Sequence, residues 1–310
     1  MKRLFFNITF LALLAGTFSS CKKKLDENYL NPELTTTGSL SKLLSGMYLN
    51  KRIHPSYWDY YTFVMPYTAA FSQTAALSPA AQMYIPSTSY TENRWVDFYD
   101  GVTGTDYNYD GPGIMSNYRE MQTTYNALSA SQQEEQQVFL KIAEVMVYDQ
   151  ASQMIDLWGD IPFSESNSLN TTRSLSYAKF DDAASLYDTM ITNLKSLNTW
   201  FDTATVATTQ ASALSTGDLM FGGDLSKWQR YANSLRLRLL MRISNYDEST
   251  AKSEVTTMLN DAGTYPMITS NDYNAVLWMS GTTLKSDLND VFSGYPYAPA
   301  YLLDTMMVAN

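Results

Sequence analysis

The stretch from Ser131 to Trp158 constrains this chain more than any other. Val138, Ile142, Val145, Met146, Ile155 and Trp158 recur at helical spacing on one broad face. That is the pattern of an amphipathic helix whose apolar stripe must be covered by something else. Ser131 is a candidate N-cap, with Glu134 three residues on in capping-box spacing. Gly159-Asp160-Ile161-Pro162 predicts the stop, with glycine past the last turn and proline just after. At ~1.5 Å per residue such a helix is about 40 Å long.

The rest of the chain repeats the theme. Leu40, Leu43, Leu44 and Met47 predict a helix within 39–50, after Gly38. The apolar and aromatic stretch 57–73 contains Pro66, which predicts a kink or two segments. Residues 77–91 and 101–113, rich in Gly, Pro and small polar residues, read as loops, with a short helix at 93–99 between them. Ala184, Tyr187, Ile191 and Leu194 predict a helix over 181–197; residues 198–225 read as largely loop. Ser226 is the expected cap of a strong helix running through Ser244, and 249–262 is the expected helix after it. Residues 270–279 look irregular, with room for a short strand. No alternating strand pattern is sustained, so the fold class is all-α, built from antiparallel helix pairs. No fixed repeat period is visible in the pattern itself. Residues 302–310 are apolar and helix-like, and predict that the chain is cut short at its C-terminus.

The N-terminus has the layout of an export signal. Met1-Lys2-Arg3 is basic, Leu4 to Phe18 is mostly apolar, and Ser19-Ser20 precede Cys21. The apolar run is short of the ~20 residues a membrane-spanning helix needs. Cys21 is the only cysteine, which leaves no intramolecular disulfide. Its place resembles the bacterial lipobox, with Phe18 where leucine is usual; Cys21 is therefore the expected lipidation site. Residues 1–20 then form the signal, 21–35 a lipidated tether and 36–310 the folded domain. Lys22, Lys23 and Lys24 sit where they would meet lipid headgroups.

Removing residues 1–20 takes away two cations and no acid, which moves the formal charge from −10 to −12. A chain so acidic lacks the basic face that nucleic-acid binding needs. His54 is the only histidine, which disfavours a serine-type triad or a multi-histidine metal site. It reads as an exposed or satisfied structural residue. No carboxylate pair stands out for glycoside hydrolysis, and Asp181-Asp182 and Glu134-Glu135 lie near helix starts that favour acids anyway. Asp106-Tyr107-Asn108-Tyr109-Asp110-Gly111 imitates the start of a calcium loop. Its expected bidentate glutamate is replaced by Asn117, so a plain polar loop without a cofactor is the stronger reading. Arg236, Arg238 and Arg242 are expected to pair with acids of neighbouring helices.

Several segments together resemble one family, the SusD/RagB-like nutrient-binding outer-membrane lipoproteins. Leu25-Asp26-Glu27-Asn28 through Asn31-Pro32 follows the candidate lipidated cysteine. "AEVMVYDQASQMIDLWGDIPF" spans 143–163, "GGDLSKWQRYANSLRLRLLMRIS" spans 222–244, and "PMITSNDYNAVL" spans 266–277. The resemblance implies an all-helical, TPR-like repeat core with long irregular loops and a length beyond this chain. It also implies a lipid anchor in the outer membrane facing the cell exterior, an oligosaccharide or other nutrient as ligand, no catalytic residues, and a SusC-like TonB-dependent transporter as partner.

No binding residue transfers from the resemblance. Sugars present apolar C–H faces that stack on aromatic rings, and 57–118 concentrates aromatic and amide side chains. Trp58, Tyr84, Tyr90, Asn93, Tyr107 and Tyr109 are the resulting ligand candidates, while Trp95, Trp158 and Trp228 read as core. A secreted glycoside hydrolase and a helical scaffold for a protein or peptide partner are the competing functions.

Overall fold

In chain order the helices are α1 (Leu40–Met47), a π-helix (Tyr60–Ala69), α2 (Thr88–Tyr99), α3 (Ile114–Asn126), α4 (Ala130–Trp158), α5 (Ala183–Thr203), α6 (Thr208–Gly217), α7 (Leu225–Ile243) and α8 (Glu248–Asn260), followed by a 3-10 turn at Asn271–Tyr273. This computed structural model describes residues 38–55, 59–69, 71–74, 88–100, 112–169 and 177–277. Among them the only strand-like pairing is a single antiparallel bridge between Ile161 and Asp181.

The 29-residue α4 is the axis of the core. Val145, Met146, Val147 and Tyr148 are consecutive and all buried. Four neighbours in a row point around the whole helix, so its middle is enclosed on every side. α1, α2, α3, α5, α6 and α7 all contact it. Short connections join α3 to α4 and α7 to α8, and each pair is in contact, which makes them antiparallel hairpins.

The α5–α7 contact is the most extensive between any two of these helices. Met190, Leu194 and Leu197 of α5 and Trp228, Ala232, Leu235 and Leu239 of α7 are all buried where the two helices pack. Inside this apolar seam Asn198 accepts hydrogen bonds from Gln229 (3.1 Å) and Asn233 (2.7 Å). Buried amides are kept only when partnered, and these fix how the two helices line up. Three of the α7 arginines behave as expected: Arg236 pairs with Glu254, Arg238 with Asp149 and Arg242 with Asp156.

Asp218, at the end of α6, is a buried node. Its carboxylate accepts from the Tyr48 hydroxyl (2.7 Å), the Trp228 indole N–H (2.8 Å) and the backbone N–H groups of Met220, Phe221 and Gly223. One side chain thereby ties the end of α1 to the start of α7. Burial first, then Asp218, pushes the Tyr48 hydroxyl pKa well above its ordinary value, so it stays a donor. Gly223 has φ of +85°, and a Cβ there would sit 2.8 Å from the Leu214 Cβ. Glycine is required on both counts.

A second polar layer holds the turn after α1. Buried Arg52 donates to Gln150 of α4 (3.0 Å) and to the Arg94 carbonyl of α2 (2.8 Å). Burial and the neighbouring Arg94 lower its pKa to about 9. Burial and Asp59 raise nearby Asp97 to about 6. His54 lies in this layer and is wholly buried, which corrects the exposed alternative.

Several expectations shift. α4 starts earlier than Ser131: Ser129 and Gln132 form the capping box, because Ser131 already lies inside the first turn. α7 is capped by Asp224 rather than Ser226; a charged acceptor takes the Ser226 and Lys227 N–H groups and the Ser226 hydroxyl. Residues 198–225 are not largely loop, since α5 continues to Thr203 and α6 follows. α6 buries only Leu214, so it carries no apolar periodicity to read. α3 has no counterpart in the sequence reading, and α2 begins inside the expected loop. The proline segment is one continuous π-helix. Residues 270–277 hold a 3-10 turn and no strand.

The loop after α4 is pinned from two sides. Asp181 accepts from the Phe163 N–H (2.9 Å), the Ser164 N–H (2.7 Å) and the Ser164 hydroxyl (2.7 Å). Arg119 of α3 donates to the carbonyls of Phe163, Ser164 (3.0 Å) and Ser166 (3.0 Å). Burial opposes the charged form of Asp181. The Ser164 and Phe163 hydrogen bonds and Lys179 outweigh it and hold the carboxyl below its usual range.

Two outcomes follow from these networks. Asp218→Ala strands two buried side-chain donors and is expected to cost about 3 kcal/mol or more, against about 1 kcal/mol for Tyr48→Phe, in urea unfolding. Equal small losses would mean that the node does not join α1 to α7. Because the folded pKa of Asp181 is depressed, its contribution is fully present above the unfolded value of 3.8 and is lost as pH falls through the lower folded value. The Phe163 and Ser164 amides should lose exchange protection in that acid window, and Asp181→Asn should abolish the pH dependence.

Candidate ligand-binding face

The pinned loop and the start of α5 carry the most exposed aromatic chemistry among the described residues. Trp95 of α2 is half-buried and sits at the centre of a ring cluster. Its centroid is 5.0 Å from Tyr99, 5.4 Å from Trp158 in an edge-on contact, and 6.3 Å from Phe180, which stacks on it at 25°. Phe180 is 63% exposed. Exposed apolar groups gathered in one place mark interaction surfaces. Flat rings with one wet face suit a ligand that is apolar on one side and hydroxylated on the other.

Phe180 also lines a cleft of about 600 Å³ between α3, α4 and α5. Tyr118 and Arg119 come from α3, Glu144 and Tyr148 from α4, Phe163 from the pinned loop and Asn193 from α5. The Tyr148 hydroxyl donates to Glu144 (2.6 Å) and accepts from the Asn193 amide (2.6 Å). Burial above all, then Glu144, drives the Tyr148 hydroxyl pKa far up, so this tyrosine does not ionise. Asp182 caps α5 by accepting the Ser185 N–H and hydroxyl, both at 2.8 Å. Aromatic ring cluster and polar cleft therefore meet at 177–182, and the Asp181 and Arg119 contacts decide where that meeting point stands.

The sequence candidates fall mostly elsewhere. Cys21, Trp58, Tyr84, Tyr107 and Tyr109 lie outside the described residues, as does the 106–111 calcium-like stretch. Tyr90 is on α2, and Asn93 is exposed on the same helix. Asn93 is two residues from Trp95, and helix positions so related face apart; the structure does not bring it into the ring cluster. Asn117, at the last position of the calcium-like pattern, is buried at the N-terminal end of α3. Among the described residues no group of three acids, histidines or cysteines stands together as metal ligands. Trp228 is core, as expected, whereas Trp95 and Trp158 are only half-buried and belong to the exposed cluster. The Trp158-Gly159-Asp160-Ile161-Pro162-Phe163 run was the available signal: two aromatic residues bracket a helix stop, where loops carry function.

The comparisons with known proteins agree on the fold. Three solved structures resemble it: a SusD-like protein of Bacteroidetes AC2a (TM-score 0.57, 24% identity, 78% of this chain), a chitin-binding protein (0.58, 21%, 76%) and a chitin-binding SusD homologue from Flavobacterium johnsoniae (0.56, 18%, 76%). The chain spans 40%, 45% and 44% of their respective lengths. No curated protein matches it in sequence. The SusD-like family, described as starch-binding and associating with the outer membrane, matches residues 61–307. With an all-α fold and a family match over most of its length, the chain belongs to the SusD-like family.

Proposed function

We propose that this chain is the nutrient-binding part of a lipid-anchored surface protein, one that captures a saccharide and passes it to a SusC-like TonB-dependent transporter of the outer membrane. The observation that carries the proposal is the family match over 61–307, to proteins described as starch-binding and associated with the outer membrane. Residues 1–20 are then the export signal, Cys21 the lipidated residue, 21–35 the tether and 36–310 the binding domain, facing the cell exterior. No described helix is long and apolar enough to cross a membrane. The proposal uses no cofactor.

The geometry supports binding over hydrolysis. Glycoside hydrolysis takes two carboxylates free to act as acid and base or nucleophile. Of the carboxylates lining the cleft, Asp181 and Asp182 are committed to N–H and hydroxyl donors, which leaves Glu144 without the second carboxylate hydrolysis needs there. Those bonds hold both carboxyls below the usual range, the opposite of what a general acid needs. The exposed rings around Trp95 supply the stacking surface, with Trp58, Tyr84, Tyr90, Asn93, Tyr107 and Tyr109 as further contacts.

Affinity gels containing starch or chitin test the binding. Retardation of the Cys21→Ser protein by one of them is expected, weakened about tenfold by Phe180→Ala, the equivalent of ~1.4 kcal/mol. Phe180 is largely exposed, so the variant should unfold with the parent. Absence of retardation by any glycan would overturn the saccharide reading. In cells, Cys21→Ser should move the protein out of the membrane fraction. The lipidated form should co-purify with a TonB-dependent transporter in mild detergent, and isolation without one would refute the delivery step.

A further inference from the structure

α2 carries the ring cluster on one side and a buried layer of charge on the other. Trp95 and Tyr99, one helical turn apart, make the ring contact at 5.0 Å. Arg94, Asp97 and Phe98 are buried. Rings link the two sides: Phe98 meets Tyr99 edge-on at 4.9 Å, and the Arg52 guanidinium stands 5.8 Å from the Phe98 centroid. The last turn of α2 is tied down by its carbonyls. Those of Arg94, Asp97 and Tyr99 accept from Arg52 (2.8 Å), Asn50 (2.7 Å) and Asn167 (2.8 Å).

The Asp97 carboxylate is badly placed for a negative charge. Its Oδ2 is buried without a hydrogen-bond partner, and so is the Nε of Arg94 one turn earlier. No ion pair among the described residues includes Asp97. It sits in the last turn of a helix, where the dipole disfavours an anion. Asp59 of the π-helix adds a like charge, against which Arg94, Lys51 and Arg52 act. Neither buried arginine is given over to Asp97. Arg52 donates to Gln150 and the Arg94 carbonyl, while Arg94 donates to the Lys51 carbonyl (3.5 Å) and lies over the Phe63 ring at 5.2 Å. His54 is buried in the same layer. α4 contributes the uncharged Gln150, with Asp149 beyond it bonded to Tyr231 and Arg238. Arg119 of α3 is turned to the carbonyls of 163–166. Burial first, then Asp59, outweigh the cations and raise the Asp97 carboxyl to about 6.

We infer that this layer is a proton-operated latch beneath the ligand-binding face: with Asp97 neutral α2 is held firmly on the turn after α1 and on α4, and with Asp97 ionised α2 loosens and the Trp95 ring cluster with it. Protonation removes a buried charge and its repulsion with Asp59, and leaves Asp59 as the counter-charge of Arg94. The latch stands on this packing alone; its effect on a ligand rests on the saccharide reading above. The folded carboxyl titrates above its unfolded value of 3.8, so the stabilisation is present in acid and is lost as pH rises through about 6. Going from about pH 7.5 to about pH 5 therefore favours the closed helix about tenfold.

Hydrogen exchange on the Cys21→Ser protein tests the latch without any ligand. Protection factors, which cancel the intrinsic pH dependence of exchange, are compared over 88–99 at those two pH values. The parent should gain about tenfold in acid. Asp97→Asn, close in shape and uncharged, should show no such gain. No gain in the parent would overturn the latch. A gain that persists in Asp97→Asn would assign the titration to another group, His54 being the one that ordinarily titrates in this range, and would overturn it as well. Should Asp97→Asn fail to fold, Asp59→Asn decides: loss of the like charge should move the midpoint of the gain to lower pH, and an unmoved midpoint would refute the assignment. In affinity gels the parent should be retarded more strongly at the lower pH, and Asp97→Asn equally at both. Equal retardation of the parent at both pH values, with α2 protection changing, would overturn the link to the ligand-binding face. No retardation at either pH would overturn the saccharide reading, while the exchange result would still judge the latch.

Discussion

The burial of α4 on every side is the constraint the rest of this structure answers to. A helix with Val145, Met146, Val147 and Tyr148 all out of water has no solvent face in its middle. Hydrophobic burial is not directional, so it demands cover but does not say which helix supplies it or at what height. α1, α3 and α5 to α7 meet that demand with helix hairpins and long side chains. Polar groups then set the details. The Asp218 carboxylate joins α1 to α7, the Asn198 amide sets α5 against α7, and Arg238 and Arg242 fasten α7 to acids of α4.

The same economy builds the candidate site. Among its described residues, the connection between α4 and α5 is bridged by Ile161 and Asp181. It is held by one carboxylate that accepts from its N–H groups and one guanidinium that donates to its carbonyls. A loop so fixed presents Phe163 to the cleft and Phe180 to both surfaces at little entropic cost on binding, which is what preorganisation means for a ligand site. Aromatic ring cluster and hydrogen-bonding cleft then lie side by side, an apolar surface next to polar groups.

Membership of the SusD-like family and the acidic, helical character of the chain point the same way as this site. Exposed rings around Trp95 and the hydrogen-bonded Asp181 and Asp182 carboxylates stand together in a chain whose family is described as starch-binding and associating with the outer membrane. Arg236, Arg238 and Arg242 of α7, which a basic patch would expose for an anion, are paired with acids of α4 and α8.

Residue pattern alone determined the all-helical class, the length and stop of α4, the α7 and α8 helices within a residue or two, and the pairing of Arg236, Arg238 and Arg242. Each rests on local physics: apolar periodicity, a glycine past the last turn, and the need of an interior arginine for an acid. The family resemblance came from the unusual residues of 143–163 and 222–244. Tertiary structure alone decided what has no local signature. α6 packs on α1 and α4, buries Leu214, and has its C-terminal end held by Ser45 and, through Asp218, by Tyr48 and Trp228, although its Thr, Ala and Ser sequence shows no stripe. Asp224 won the cap of α7 over Ser226 by charge. Trp95, Trp158 and Phe180 are far apart in the chain, and each taken singly looks like core. Only the packing of α2 on α4, with 177–182 folded back by Asp181, turns them into a surface. Glu144, Tyr148 and Asn193 become a relay for the same reason. A hydrogen bond between helices depends on distance in space, and spacing along one chain does not encode it.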